Sequence, residues 1–304
     1  MPSRLAIKID VDTDRGTREG VLPLVELCRL HGVPATFFFS LGPDNTGKAI
    51  RRIFRPGFFS KVMRTRVASN YGWRTMLNGT LLPAPHIGRR NEDVMKEVRN
   101  RGFEVGIHCY DHFTWQDYVS VMPLAEIRRQ FQAAQEEFVR IFGVQARSAA
   151  APGWQCSPGS LAVYDEAGLL YASDARGRQP FLPSMQGQTF RTLQIPTTLP
   201  TLDELLGRPE FPPERIVPHY LKLLKAGGDS VLTIHAELEG LAYLELFGEL
   251  LKGAAGQGIE FYSLEEAARV LHRDSLPVSE IKMGRVDGRS GTLAVVEGSA
   301  KTLF

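Results

Sequence analysis

Two periodicities alternate along this chain. Short runs with apolar residues at every second position, or at every position, are each followed by longer stretches whose apolar residues return every three or four. Leu5, Ile7 and Ile9 alternate as a strand with one apolar face. Residues 34–40, 103–107, 147–151, 170–174, 230–235 and 259–262 read as further short strands of Val, Ile, Phe, Tyr and Ala. Between them, 19–31 reads as a helix with Pro23 in its first turn and Leu22, Val25, Leu27 and Leu30 largely on one side. Helices are also expected over 91–101, with Asn91 as N-cap, and over 123–142, 158–167, 213–226, 241–255 and 264–271. A long loop is expected after 174, and two strand-like runs, 280–286 and 292–296, in the tail. Strand and helix alternate throughout, so the strands are expected to be parallel, in an α/β barrel or an open sheet.

Composition narrows this picture in three ways. With 304 residues, 43% of them hydrophobic, the chain is long enough to bury a full core as one α/β domain. The expected division is a barrel over 1–272, with an insertion at 44–90, and a C-terminal extension over 273–304 that suggests a hairpin. Three cysteines, Cys28, Cys109 and Cys156, show no paired spacing, so a reducing compartment fits best. Cys109 reads as a small packing residue. No leader pattern precedes the first strand, and no apolar stretch approaches the ~18 residues of a membrane span; the chain is expected to be cytoplasmic unless held at a surface.

Charge changes the picture more sharply. The net charge is +2, yet from Asp44 to Arg90 ten Lys or Arg stand against one acid, so the remainder is acidic. Arg51, Arg52, Lys61 and Arg64 alternate there with Phe54, Phe58 and Phe59 around the Pro56-Gly57 break. A connection of this length is usually functional. Basic residues opposite aromatic ones describe an amphipathic segment lying on an anionic membrane. A nucleic-acid groove would share the charge, but no recognised nucleic-acid module accompanies it. A solvated loop packing its aromatics on the barrel is the plain alternative.

The candidate chemistry lies at strand ends. Asp10 and Asp12, two apart, are expected to point together, and such a pair is costly without a cation or proton between its carboxylates; a solvated Asp-rich turn or a helix cap is the alternative. His108 and His112 follow the third strand, Asp174 ends the fifth, and His235 ends the sixth. In a parallel barrel these ends share one rim, where catalytic groups gather. We read Asp12, His108 and His112 as ligands of one divalent ion with open positions, Asp10 as the base that takes a proton from water, and His235 as the acid for a leaving nitrogen. Zinc, manganese or cobalt suits these donors, as does iron. Gly153 and Trp154, in the turn Ala151-Pro-Gly-Trp, are expected to supply an oxyanion amide or simply to end a strand. Glu237 and Glu239 are expected to face a sugar or its new ammonium, or to pair with arginines on the rim.

In order, Asp10-x-Asp12, His108-x-x-x-His112, the Ala-Pro-Gly-Trp turn, Ser173-Asp174 and Thr233-Ile-His235 resemble the motifs of the polysaccharide deacetylase family (NodB homology). The resemblance implies a distorted (β/α) barrel, metal dependence and the same five roles. It also implies an arginine that positions the catalytic Asp. Here that strand reads Ser148-Ala-Ala-Ala-Pro-Gly-Trp154, and Arg176 is the expected substitute. Further stretches, among them Ile9–Gly20, Ser40–Asn45, Gln194–Thr201 and Ile234–Gly240, resemble the members that deformylate a formamido sugar carried on undecaprenyl phosphate. That implies a lipid-linked sugar as partner, at the cytoplasmic face of an inner membrane, on the path to aminoarabinose-modified lipid A and cationic-peptide resistance. The competing readings are a deacetylase of N-acetyl sugars and a non-catalytic lipid-sugar binder on the same scaffold. Oligomeric state is not legible.

Overall fold

The computed structural model describes residues 3–49, 72 and 74–296. Its organising strand is β1 (Ser3–Val11), whose two faces serve two different cores. Leu5, Ile7, Ile9 and Val11 join the large apolar cluster under the helices, and Ala6 joins a smaller one inside the sheet's curve. Alternation therefore turns Lys8 and Asp10 inward as well. β2 (Ala35–Ser40) repeats the division, with Phe37 and Phe39 in the outer cluster and Phe38 in the inner one.

β3 (Glu104–Cys109), β4 (Ser148–Ala149) and β5 (Tyr171–Ala172) continue from β2 in that order. β8 (Leu193–Gln194) pairs β5, while β9 (Gly228–His235) and β10 (Glu260–Tyr262) both pair β1. Every pairing in this eight-stranded sheet is parallel. Beyond β8 the amides of Thr198 and Leu199 both donate to Val231 O in β9, at 3.1 and 3.2 Å, which brings the two ends of the sheet together. The result is a distorted (β/α) barrel. Gly106 of β3 shows how tightly its interior is filled: a Cβ there would lie 2.6 Å from the Phe38 ring and 2.7 Å from Ser148 Oγ.

The helices fall where the periodicity places them, among them Val21–Leu30, Leu124–Phe142, Pro158–Ala167 and Leu244–Gly256. Asn91 stands at the N-cap position of Glu92–Asn100 without a capping bond; its amide donates instead to Asp14 Oδ1 and Ile87 O. The stretch expected as a long loop is more structured than that. It holds β6 (Leu182–Met185), β7 (Gln188–Thr189), β8 and the helical turn Leu202–Leu205. β6 pairs in parallel with β11 (Val278–Gly284), which pairs antiparallel with β12 (Leu293–Val296), so the tail completes a second, four-stranded sheet. No helix among the described residues is long and apolar enough to cross a membrane.

Candidate active site

Register and bulging bring the strand ends together. Asp10 of β1 lies directly beside His235 of β9 on one side and Phe38 of β2 on the other. The β2–β3 ladder pairs Phe39 with Ile107 but Ser40 with Cys109, so His108 is an extra, bulged residue. Bulges re-aim side chains beside functional sites, and this one delivers an imidazole to the rim. His112 opens the helix His112–Tyr118, whose N-cap is Asp111: Oδ1 accepts from Thr114 N at 3.1 Å, and Oδ2 from Asn45 Nδ2 at 2.7 Å. The cap fixes the first helical turn and with it the second imidazole.

His108 Nε2 lies 3.2 Å, and His112 Nε2 3.5 Å, from Asp12 Oδ1, and the three donor atoms fall within 4.8 Å of one another. Ligands of a tetrahedral ion with bonds of about 2.1 Å stand about 3.4 Å apart, so the spacing fits a divalent first-row metal. The chemistry of the donors fits too, because Asp12 Oδ1 is buried yet receives no hydrogen bond. Burial alone would raise the Asp12 carboxyl; the two imidazoles outweigh it and hold the group well below the usual carboxylate range. Asp10 adjoins this cluster, with Oδ1 4.0 Å from His108 Nδ1 and also without a hydrogen bond. His235 Nδ1 is likewise buried and unbonded.

The remaining sequence candidates are distributed differently. Asp174 is fully buried and holds the turn after β4: its Oδ1 accepts from Ala151 N at 2.7 Å, and burial pushes its carboxyl up to about 6. Gly153 and Trp154 both have positive φ, 57° and 53°, and a Cβ on Gly153 would meet Gln116 Nε2 at 2.4 Å. The Trp154 amide donates to Ala151 O, so within the turn it is already committed.

Arg176 does not take up the role of the family's arginine. Its guanidinium donates to Glu204 Oε1 at 2.5 Å and to Leu199 O at 2.8 Å, away from Asp10. Glu237 and Glu239 are buried, being 1% and 3% exposed. Glu237 Oε1 accepts from Asp12 N, Thr13 N and Thr13 Oγ1 at 2.8–3.0 Å, and Glu239 Oε2 from His235 N at 2.9 Å. They brace the loops that carry Asp12 and His235. The membrane candidates Arg51, Arg52, Phe54, Phe58, Phe59, Lys61 and Arg64 lie outside the described residues.

One residue went unread in the sequence. Lys8 is fully buried on the inner face, with Nζ 3.3 Å from Asp10 Oδ2. The available signal was weak: a charge two residues before Asp10, on the strand face opposite the apolar one of Leu5, Ile7 and Ile9.

Residues 11–172 match the family model described as polysaccharide deacetylase. A protein of Shewanella sediminis named "Probable 4-deoxy-4-formamido-L-arabinose-phosphoundecaprenol deformylase" is 38% identical over 293 residues, 96% of this chain and 94% of its own length. A protein of the same name from Wigglesworthia glossinidia brevipalpis is 31% identical over 281 residues, 92% of this chain and 97% of its own. In fold, the chain resembles the crystal structure of a protein from Pseudomonas aeruginosa titled a probable polysaccharide deacetylase. The TM-score is 0.60 at 18% identity, covering 90% of this chain and 92% of that one.

Proposed function

The chain belongs to the polysaccharide deacetylase family, and from that premise we propose that it hydrolyses the formamide of 4-deoxy-4-formamido-L-arabinose carried on phosphoundecaprenol. The products are formate and the lipid-linked 4-amino sugar. The observation that carries this reading is similarity at 38% and 31% identity, over 96% and 92% of this chain, to the two proteins named as probable deformylases, in a chain whose Asp12, His108 and His112 meet at one rim.

These three residues would hold the metal, with zinc, manganese or cobalt as the candidates. Bound there, a divalent ion serves as a Lewis acid for the formyl carbonyl and acidifies water. The chain's own residues move the protons. Asp10 accepts a proton from water as the water oxygen bonds to the formyl carbon. His235, register-paired with Asp10, gives a proton to the sugar nitrogen as the C–N bond breaks and its electron pair stays with nitrogen. Formate departs with the oxygen that came from water.

Two features support a phosphate-bearing lipid substrate. A cavity of about 810 Å³ opens beside the loop that follows Asp12, and Arg15, Arg18, Arg74 and Arg90 line it with Asp14 and Glu19. Guanidinium groups suit a phosphodiester in geometry and charge. The basic, aromatic insertion suits the membrane surface from which a polyprenyl chain must be reached.

Formate release from the lipid-linked formamido sugar tests the reading. The metal-loaded protein is expected to release formate, chelation to abolish release and a divalent ion to restore it. Asp10→Asn is expected to cost at least about 10²-fold in kcat. Turnover of the N-acetyl analogue in place of the formyl one overturns the substrate assignment. Full activity in Asp10→Asn overturns the mechanism.

A further inference from the structure

Lys8 stands two residues before Asp10, so the two side chains leave the same face of β1. Its ammonium is fully buried, 3.3 Å from Asp10 Oδ2 and 3.1 Å from Ser173 O, with the rings of Phe38 and Trp154 at 5.9 and 5.3 Å. A buried ammonium is strongly disfavoured unless paired, and the positions beside Lys8 in the sheet, Thr36 of β2 and Thr233 of β9, are buried and carry no charge to offset it. What offsets the desolvation here is the Asp10 carboxylate, one carbonyl and two ring faces.

The arginine that the family resemblance leads one to expect is missing from 148–154, and Arg176 is occupied by Glu204 and Leu199 O. We propose that Lys8 fills that place from β1 itself, as the residue that positions Asp10. Its ammonium holds Oδ2, which leaves Oδ1, the oxygen with no hydrogen bond, as the one that accepts the proton from water. Through Ser173 O the same ammonium ties β1 to the segment carrying Asp174, which in turn holds the Ala151 amide. The orientation of the base is thereby coupled to the turn on the opposite side of the barrel.

The inference rests on Asp10 acting as the base, and two measurements separate it from that reading. In the metal-loaded enzyme, Lys8→Met is expected to lower kcat by about 10²-fold with KM and bound metal unchanged, because only the alignment of the base is lost. Lys8→Arg, which keeps the charge, is expected to recover most of kcat. Wild-type kcat in Lys8→Met overturns the proposal, as does a loss of turnover that follows a loss of metal. The second measurement needs no substrate. Lys8→Met leaves a buried carboxylate unpaired, so adding Asp10→Asn to it is expected to raise the melting temperature above that of Lys8→Met alone. Strictly additive losses in that cycle overturn the pairing. Absence of formate release by the wild type would sink the deformylase reading, and the melting cycle would still decide whether Lys8 and Asp10 act as a unit.

Discussion

Glu239 combines two jobs that conflict electrostatically. Its carboxyl fixes the loop behind His235 by accepting the His235 N–H, yet it does so 3% exposed, and burial pushes it up to about 8, with Asp203 acting in the same direction. At neutral pH it is therefore protonated in the fold, whereas in the unfolded chain it ionises near the usual value of about 4.3. Between those two values the native state holds one more proton than the unfolded state, so this group's contribution to stability declines as pH rises through that window. Glu237 is raised well above its usual value by burial and by Asp12, and adds to the same trend. Glu239→Gln keeps an acceptor for the His235 amide but cannot ionise. Its melting temperature is expected to fall less steeply than that of the wild type between about pH 5 and pH 8. Parallel curves for the two proteins would show that Glu239 does not titrate in the fold.

One element, the tail, explains why Trp154 can hold its positive φ. Val286, Leu293 and Val295 pack on that indole, Thr197 Oγ1 accepts from its Nε1 at 3.1 Å, and Arg176 and Arg289 lie over its ring at 5.1 and 4.5 Å. Both guanidinium groups converge on the fully buried Glu204, at 2.5 and 2.9 Å. Glu204 also accepts from Thr201 N at 3.1 Å, which starts the helical turn Leu202–Leu205. Strands β11 and β12 are thus fastened to the turn that ends β4, on the side of the barrel where Lys8 meets the same indole. Breaking a buried ion pair from one side leaves the partner charge without compensation. Glu204→Gln is expected to destabilise the protein by about 3 kcal/mol. Urea unfolding would read this as a lower midpoint at an unchanged slope. An unaltered midpoint would mean that the tail is held by its apolar contacts alone.

Across the whole molecule, legibility followed the range of the interactions. The strand–helix alternation was readable because a parallel sheet buried on both sides needs apolar runs and each covering helix needs one apolar stripe, both local patterns. Asp10, Asp12, His108, His112 and His235 could be singled out because strand ends share an address in a parallel barrel. The bulge at His108, the bracing by Glu237 and Glu239, and the pairing of β11 with β6 depend on partners far away in sequence, which no local pattern encodes. Lys8 was missed because a single lysine in a short strand reads as a solvated face. The insertion is the reverse case, since its composition speaks while residues 50–71 lie outside the structural description. Its cations attract an anionic surface, and that attraction weakens as salt screens it, whereas the apolar contribution of Phe58 and Phe59 does not. The protein is accordingly expected to sediment with vesicles containing anionic lipid, and less with neutral ones or at high salt. Replacing Arg51, Arg52, Phe58 and Phe59 together is expected to leave it in the supernatant with an unchanged melting temperature. Sedimentation unaltered by the four replacements would remove the insertion from the membrane account, and retention on single-stranded RNA by the wild type alone would reassign its charge to a nucleic acid.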